Sequence, residues 1–350
     1  MATTYSPGKH NQLTDVPGLS VGQAHDADVR TGVTVVLPEA PAVAAVDVRG
    51  GGPGTRETDA LAPTSLVEKI HAIVLSGGSA FGLDAAGATA AQLAARGIGF
   101  PVAGAVVPIV PSAILFDLAN GGNKAWGEIP PYRRLAAAAL AAAGPTVARG
   151  DAGAGYGATC GALKGGIGSA SIQRHTDCHA HETVAALIAV NAFGDAVVPG
   201  GTRLWAAPFE LGAEMGNQAA LPDVRPQAPD YIEGKPLAEA ETPSNTTIGV
   251  IATDVALSRS EALRIATMAH DGLARAIRPI HTPFDGDTLF VLSTGQRQLA
   301  LNDPLARARL ITRLGTMAAD VTTRAVGNGM VSAQSLNGWP SYRDWLTNHT

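Results

Sequence analysis

The stretch Thr242-Pro243-Ser244-Asn245-Thr246-Thr247-Ile248-Gly249-Val250-Ile251-Ala252-Thr253-Asp254 passes abruptly from a polar, turn-forming segment into an apolar run. Ile248–Ala252 is continuously apolar rather than alternating, so both its faces need cover, as in a strand buried inside a sheet. Ala72–Leu75 reads the same way, and Gly166–Ile172 and Thr183–Asn191 read as two strands around a polar tip. Thr31–Pro38 and Ala42–Val48 are strands by their β-branched content, and a turn at Val16-Pro17-Gly18 leads into another. Val106–Leu118 reads as extended core, with Pro111 at an edge or bulge. Helical segments alternate with these strands: Leu83–Ala95, Pro131–Ala143, Arg259–Ala276 with Ser258 or Ser260 as cap, and about Pro304–Arg324. Strands on both sides of the 245/246 junction suit two sheets packed on each other with helices outside, a four-layer α/β/β/α sandwich. The segment from Gly200 to Ser244 is proline-rich and weakly patterned, which suits a long surface loop ending at the junction.

The partners of such a chain are bounded by its charge and length. A net charge of -5 without a basic run argues against nucleic acid, and 46% hydrophobic residues against 16% charged indicate a well-buried globular chain. Met1–Gln12 is polar and lacks a signal-peptide core, and no apolar run is long enough to cross a bilayer. Two cysteines, Cys160 and Cys178, make no disulfide framework, so a cytoplasmic location without membrane contact is the expectation.

Asn245-Thr246 is also where chemistry is expected. A threonine hydroxyl is a weak nucleophile at neutral pH and needs a base. A chain cut between Asn245 and Thr246 supplies one on the same residue, because an α-amine has a reference pKa of about 7.7–8.0. The plainer readings are a turn into a strand, or an N-x-[ST] glycosylation sequon, which matters only in a secreted chain.

Other motifs are weaker. Arg49–Asp59 is glycine-rich but lacks the Gly-Lys-Ser/Thr ending of a phosphate loop. Ser76–Gly82 resembles a nucleophile elbow, but Phe81 stands where Gly-x-Ser-x-Gly needs glycine, so Ser79 reads as a helix N-cap with backbone amides facing a cleft. Gly153-x-Gly155-x-x-Ala158 lacks the flanking strand and helix of a dinucleotide fingerprint. His175, Cys178, His179 and His181 have donor types that suit zinc or copper, or form a solvated hairpin tip. Asp285-Gly286-Asp287 is either a surface turn or a pair of carboxylates on one side of an extended segment, one of them with a raised pKa.

Taken together, these segments resemble the DmpA/NylC family of self-processing aminopeptidases, β-peptidyl aminopeptidases and nylon-oligomer endohydrolases. The resemblance runs from Val16-Pro17-Gly18 through Thr31–Thr34, Ser76–Ser79 and Ile114–Asp117, and is most specific at Asn245-Thr246-Thr247-Ile248 and His281–Phe290. It implies an α/β/β/α fold and autocleavage between Asn245 and Thr246, giving a 1–245 large and a 246–350 small subunit. It also implies that pairs of these subunits assemble as homo-oligomers.

The resemblance places the nucleophile at Thr246, with Asp285 and Asp287 beside it where the peptidase branch has a serine and a glutamate. It places a lysine beside the nucleophile at Lys164 and an oxyanion-hole amide at Asn191. Ser79 and Phe116 fall in the substrate pocket, with Phe116 replacing a frequent tyrosine whose hydroxyl contacts the reacting centre. The implied substrates are short peptides, amino-acid amides or 6-aminohexanoate oligomers, with no metal or organic cofactor. The alternatives are an ornithine-acetyltransferase-like acyl transfer to an amine, or metal binding through the His175–His181 cluster.

Overall fold

The computed structural model describes residues 3–175, 182–218, 245–301, 303–336 and 338–349. The strands, in chain order, begin with β1 (Thr4–Ser6), β2 (Leu19–Asp26), β3 (Thr31–Pro38), β4 (Ala42–Val48), β5 (Thr55–Arg56), β6 (Lys69–Ile70), β7 (Ile73–Ser76) and β8 (Phe100–Val102). They continue with β9 (Ala105–Val107), β10 (Ser112–Ile114), β11 (Thr159–Cys160), β12 (Leu163–Lys164), β13 (Gly166–His175), β14 (Glu182–Val190), β15 (Ile248–Val255) and β16 (Thr288–Arg297). The α-helices are α1 (Asp84–Ala95), α2 (Tyr132–Ala141), α3 (Arg259–Ala276), α4 (Pro304–Ser332) and α5 (Tyr342–Thr347).

Two sheets dominate. The larger runs β1-β13-β14-β15-β16-β4-β6 and the smaller β2-β3-β7-β10-β5. Each contains one parallel pair, β15 with β16 and β7 with β10, and is otherwise antiparallel.

Side-chain parity explains the layers. Leu187 of β14, Val250 of β15 and Phe290 and Leu292 of β16 point at the small sheet, where Val21, Val36, Ile73 and Leu75 meet them. The intervening Ile188, Ile251, Leu289 and Val291 point the other way, onto Ile265 and Leu273 of α3 and Leu314 and Val321 of α4. On the far side, Val33, Val35 and Val74 are covered by α1 and α2 through Leu93, Leu135 and Ala139. These three apolar interfaces make the four layers α/β/β/α, and they account for the continuous hydrophobicity of the central strands.

Local signals set several bounds. At the start of α3, Ser258 and Glu261 form a reciprocal capping box, which fixes the helix at Arg259. By contrast α4 runs past Arg324 to Ser332, where Gly329 lets the helix lie close on β13 at Gly168 and Gly327 leaves room for Met215 and Ala206.

Two expectations are corrected. Val106 and Val107 are not core: with Phe100–Val102 they form an exposed two-stranded ribbon, and the buried part of that segment starts at Pro108. Pro111 stands directly before β10, an interior strand, where its missing N–H breaks no ladder. The Gly200–Ser244 segment is not a surface loop throughout: Leu204, Ala206 and Met215 are buried in the core beside α4. Residues 219–244 of that segment lie outside the described residues.

Candidate active site

The register of three strands assembles the site. β14 and β15 are antiparallel with Ala189 opposite Ile248, so the residues after β14 lie beside those before β15. β15 and β16 are parallel with Ile248 opposite Thr288, and Asn245 bridges Asp285 just before both strands begin. Asn191, Thr246, Asp285 and Asp287 therefore meet at one end of the sheet, all buried.

With the Asn245–Thr246 peptide intact, the Thr246 N–H donates to the Asn191 carbonyl at 2.6 Å. The Thr246 hydroxyl donates to the Asn245 carbonyl oxygen at 2.6 Å, and the Gly286 N–H donates to that same oxygen at 2.8 Å. Two donors on one carbonyl polarise it and raise its susceptibility to attack. A Cβ on Gly286 would stand 2.7 Å from the Thr246 Oγ1, so only glycine fits there without displacement.

The two carboxylates have separate tasks. Asp285 accepts from the Phe193 N–H at 3.2 Å, the Thr282 N–H at 2.9 Å and the Thr282 hydroxyl at 2.6 Å. Burial, and then the negative charge of Asp287, push its pKa up. Asp287 accepts the Thr247 N–H at 2.8 Å through Oδ1. Its Oδ2 takes two donors from His281, the backbone N–H at 3.0 Å and the ring Nδ1 at 2.8 Å. These bonds tie Asp285 to Phe193 and Thr282, and Asp287 to His281 and to Thr247, the residue after Thr246. The reason is register, since Thr247 faces Asp287 across the parallel ladder.

Asn191 sits at the centre of a second set of contacts. Its Oδ1 accepts from the Thr159 N–H at 3.0 Å and its Nδ2 donates to the Phe116 carbonyl at 3.1 Å. An amide nitrogen carries two hydrogens, so Nδ2 retains a second donor. Phe116 is half-buried and joins the site through its backbone.

Lys164, in the β11–β12 ribbon, is 1% exposed. Its Nζ bonds the Gly165 carbonyl at 2.8 Å and the Gly155 carbonyl at 3.2 Å, and pairs with Asp151 at 3.1 Å. Burial lowers its pKa against the opposing pull of Asp151. It thus lies one strand pair from Asn191, through Thr159, and these bonds end on Gly165, Gly155 and Asp151 rather than on Thr246.

Ser79 is more remote, and the N-cap expectation for it is corrected. Gly78 takes the cap in a left-handed conformation, and Ser79 begins a 3-10 turn with φ +51°. Its N–H donates to the Leu115 carbonyl at 3.0 Å.

Three contributors escape sequence reasoning. The Gly286 amide is a backbone group with no side-chain signal. His281 stands inside a quoted motif, but its pairing with Asp287 depends on a turn with φ +57° at His281. Gly50, Gly51 and Gly52, passed over for want of a phosphate-loop ending, back the acidic turn: the Gly52 N–H donates to the Asp285 carbonyl at 2.8 Å and the Gly51 N–H to the Thr282 carbonyl at 3.1 Å. A Cβ at Gly50 would collide with the backbone of Asp285 and Asp287. The run of glycines was the available signal, since it marks close backbone approach.

Of the proposed metal cluster, only His175 is among the described residues, where its Nε2 lies 2.8 Å from the Ser6 hydroxyl. Cys178, His179 and His181 lie outside them, and among the described residues no group of three or more His, Cys, Asp or Glu is placed to hold a metal. No described helix is long and apolar enough to cross a membrane.

Two packed sheets covered by helices on both outer sides define the class of fold. Two solved structures share it: a β-aminopeptidase from Burkholderia sp. (TM-score 0.68, 23% identity, 94% of this chain and 89% of that one) and an L-aminopeptidase D-Ala-esterase/amidase from Ochrobactrum anthropi, described as a variant of the Ntn hydrolase fold (TM-score 0.67, 21% identity, 94% and 88%). Residues 11–342 match the profile of Peptidase family S58, and the chain belongs to that family. Its relatives include an uncharacterized aminopeptidase of Mycobacterium tuberculosis, 45% identical over 95% of this chain and 97% of that one. A 6-aminohexanoate-oligomer endohydrolase of Agromyces sp. is 32% identical over 93% and 88%.

Proposed function

We propose that the protein is a self-processing amide-bond hydrolase whose nucleophile is Thr246. The observation that carries this reading is the Thr246 hydroxyl 2.6 Å from the Asn245 carbonyl oxygen, with the Gly286 N–H on the same oxygen. In the uncut chain, Thr246 Oγ attacks the Asn245 carbonyl carbon and the peptide C–N bond breaks as its nitrogen gains a proton. The resulting ester is hydrolysed by water, which leaves an Asn245 carboxylate and a free Thr246 amine.

In the mature enzyme the amine takes the hydroxyl proton while Thr246 attacks the amide carbonyl of a substrate, and it passes the proton to the leaving amine. Water then hydrolyses the acyl-enzyme. The second Nδ2 hydrogen of Asn191 and the Gly286 N–H, freed when the Asn245 carbonyl departs, are the donors placed to meet the oxyanion. Asp285 and Asp287 hold the segments on either side, and buried Lys164 contributes positive charge one strand pair away. The names of the relatives support short peptides, amino-acid amides or 6-aminohexanoate-type oligomers as substrates. Phe116 and Ser79, which follow β10 and β7 of the small sheet, are assigned to the substrate pocket in this reading.

The test is denaturing intact mass on freshly purified protein. The expected result is two pieces of roughly 25 and 11 kDa, the smaller beginning at Thr246, in place of one 35.5 kDa chain. An intact chain that persists through long incubation sinks the reading.

A further inference from the structure

His281 supplies two of the three donors to the Asp287 carboxylate, one from its backbone and one from its ring. Asp287 is fully buried, so each lost donor leaves charge uncompensated. His281 holds the outer oxygen through its backbone N–H and its ring Nδ1, at 3.0 and 2.8 Å. The inner oxygen is thereby aimed at the Thr247 N–H, at 2.8 Å, in the residue that follows the nucleophile.

His281 makes these bonds from a left-handed backbone conformation, φ +57°, which glycine or asparagine adopts at lower cost. Its ring is braced from behind. The ring of His270, on α3, meets it edge to face with centroids 4.9 Å apart, and His270 Nε2 binds the Asp47 carbonyl on β4 at 3.0 Å. Burial first, and the neighbouring His281 as well, lower the His270 pKa to about 4 against the pull of Asp47, so at neutral pH this brace is uncharged. A continuous run of contacts therefore passes from Asp47 through His270, His281 and Asp287 to Thr247.

We propose that His281 is a positioning residue for the reaction: its ring N–H locks the rotamer of Asp287, and Asp287 in turn fixes the chain immediately after the cut. This rests on the reading of Thr246 as nucleophile. Thr246 keeps its approach to the Asn245 carbonyl only while Thr247 is held, so loss of the ring N–H slows the chemical step rather than the binding of substrate.

The experiment follows self-cleavage by intact mass after cell-free synthesis of wild-type, His281→Ala, His281→Phe and His281→Asn chains. It also measures kcat and KM of the mature forms on an amino-acid amide. Phenylalanine keeps the packing against His270 without the N–H, whereas asparagine tolerates positive φ and restores an N–H. The alanine and phenylalanine chains are expected to cut about 10–100-fold more slowly and to lose kcat with little change in KM. The asparagine chain is expected to stay within about threefold of wild type. Wild-type speed in the phenylalanine chain, or an asparagine chain as slow as the phenylalanine one, overturns the role of His281 while leaving Thr246 untouched. An uncut wild-type chain overturns the Thr246 reading, and this role with it. Should the alanine chain fail to fold, the phenylalanine and asparagine chains carry the test.

Discussion

The Gly286 N–H and the Thr246 hydroxyl converge on a single atom, the carbonyl oxygen of Asn245, at 2.8 and 2.6 Å. Gly286 can stand there because a Cβ would come within 2.7 Å of both the Thr246 Oγ1 and the Gly52 carbonyl. Gly286→Ala is therefore expected to push the hydroxyl and the acidic turn apart. A displacement on the order of 1 Å at a reacting centre costs about 100-fold in rate. Self-cleavage of this variant, timed by intact mass, should slow by that order while the chain stays folded by circular dichroism. Cleavage at the wild-type rate would remove Gly286 from the account.

At Thr246, the proposed nucleophile, the chemistry predicts a graded response. Thr246→Ala removes the hydroxyl and should abolish both the cut and turnover. Thr246→Ser keeps an oxygen and an amine but loses the methyl that restricts χ1, so both activities should persist at about a tenth of the wild-type rate or better. Mass spectrometry and an amide-hydrolysis assay read both outcomes, and a fully cut, active alanine variant would defeat the mechanism.

His270 gives the fold a defined acid sensitivity. Its pKa falls from 6.5 to about 4 on folding, chiefly through burial. Above pH 6.5 the ring is neutral in both states and no penalty arises. Between pH 6.5 and 4 the unfolded chain binds a proton that the folded one refuses, so stability falls as pH falls through that window. The full loss, about 3 kcal/mol at most, is reached below about pH 4. His270→Gln keeps a donor for the Asp47 carbonyl and does not titrate in this range. Urea midpoints at pH 7 and pH 4.5 should differ less in the variant than in wild type, and an equal decline would show that His270 is not the responsible group.

How much of this was readable follows from where each signal resides. The bounds of α3 were legible because Ser258 and Glu261 write its start locally, and β15 because its apolar run is continuous. Thr246, Asp285, Asp287 and Asn191 were singled out by motif, and the sheet register does bring them together. The partners of these residues were not legible, because they are set by register and turn geometry. No local pattern tells that Asp287 spends one oxygen on Thr247 and the other on His281, or that Lys164 turns to Asp151. Val106 and Val107 misled for the opposite reason: their β propensity is real, but the ribbon they form belongs to neither of the two main sheets.

The last prediction concerns what would hold the two pieces together after the proposed cut. Arg324 of α4, 1% exposed, reaches Glu214 with Nε at 2.6 Å and Nη2 at 2.9 Å, and its remaining donors bond the Ser171 carbonyl and Asn11 Oδ1, both at 2.8 Å. Arg324 belongs to the 246–350 piece and the other three residues to the 1–245 piece, so this buried pair spans the proposed division. Removing one partner of such a pair costs about 3–5 kcal/mol, because the other charge is left uncompensated. Arg324→Ala should therefore lower the thermal midpoint and, after cleavage, release the small piece in size-exclusion chromatography under mild urea that leaves wild type assembled. Replacing both partners with apolar residues, Glu214→Leu with Arg324→Met, should recover much of the loss, since no charge then remains buried. A single alanine variant as stable as wild type would show that the association rests on the apolar layers alone.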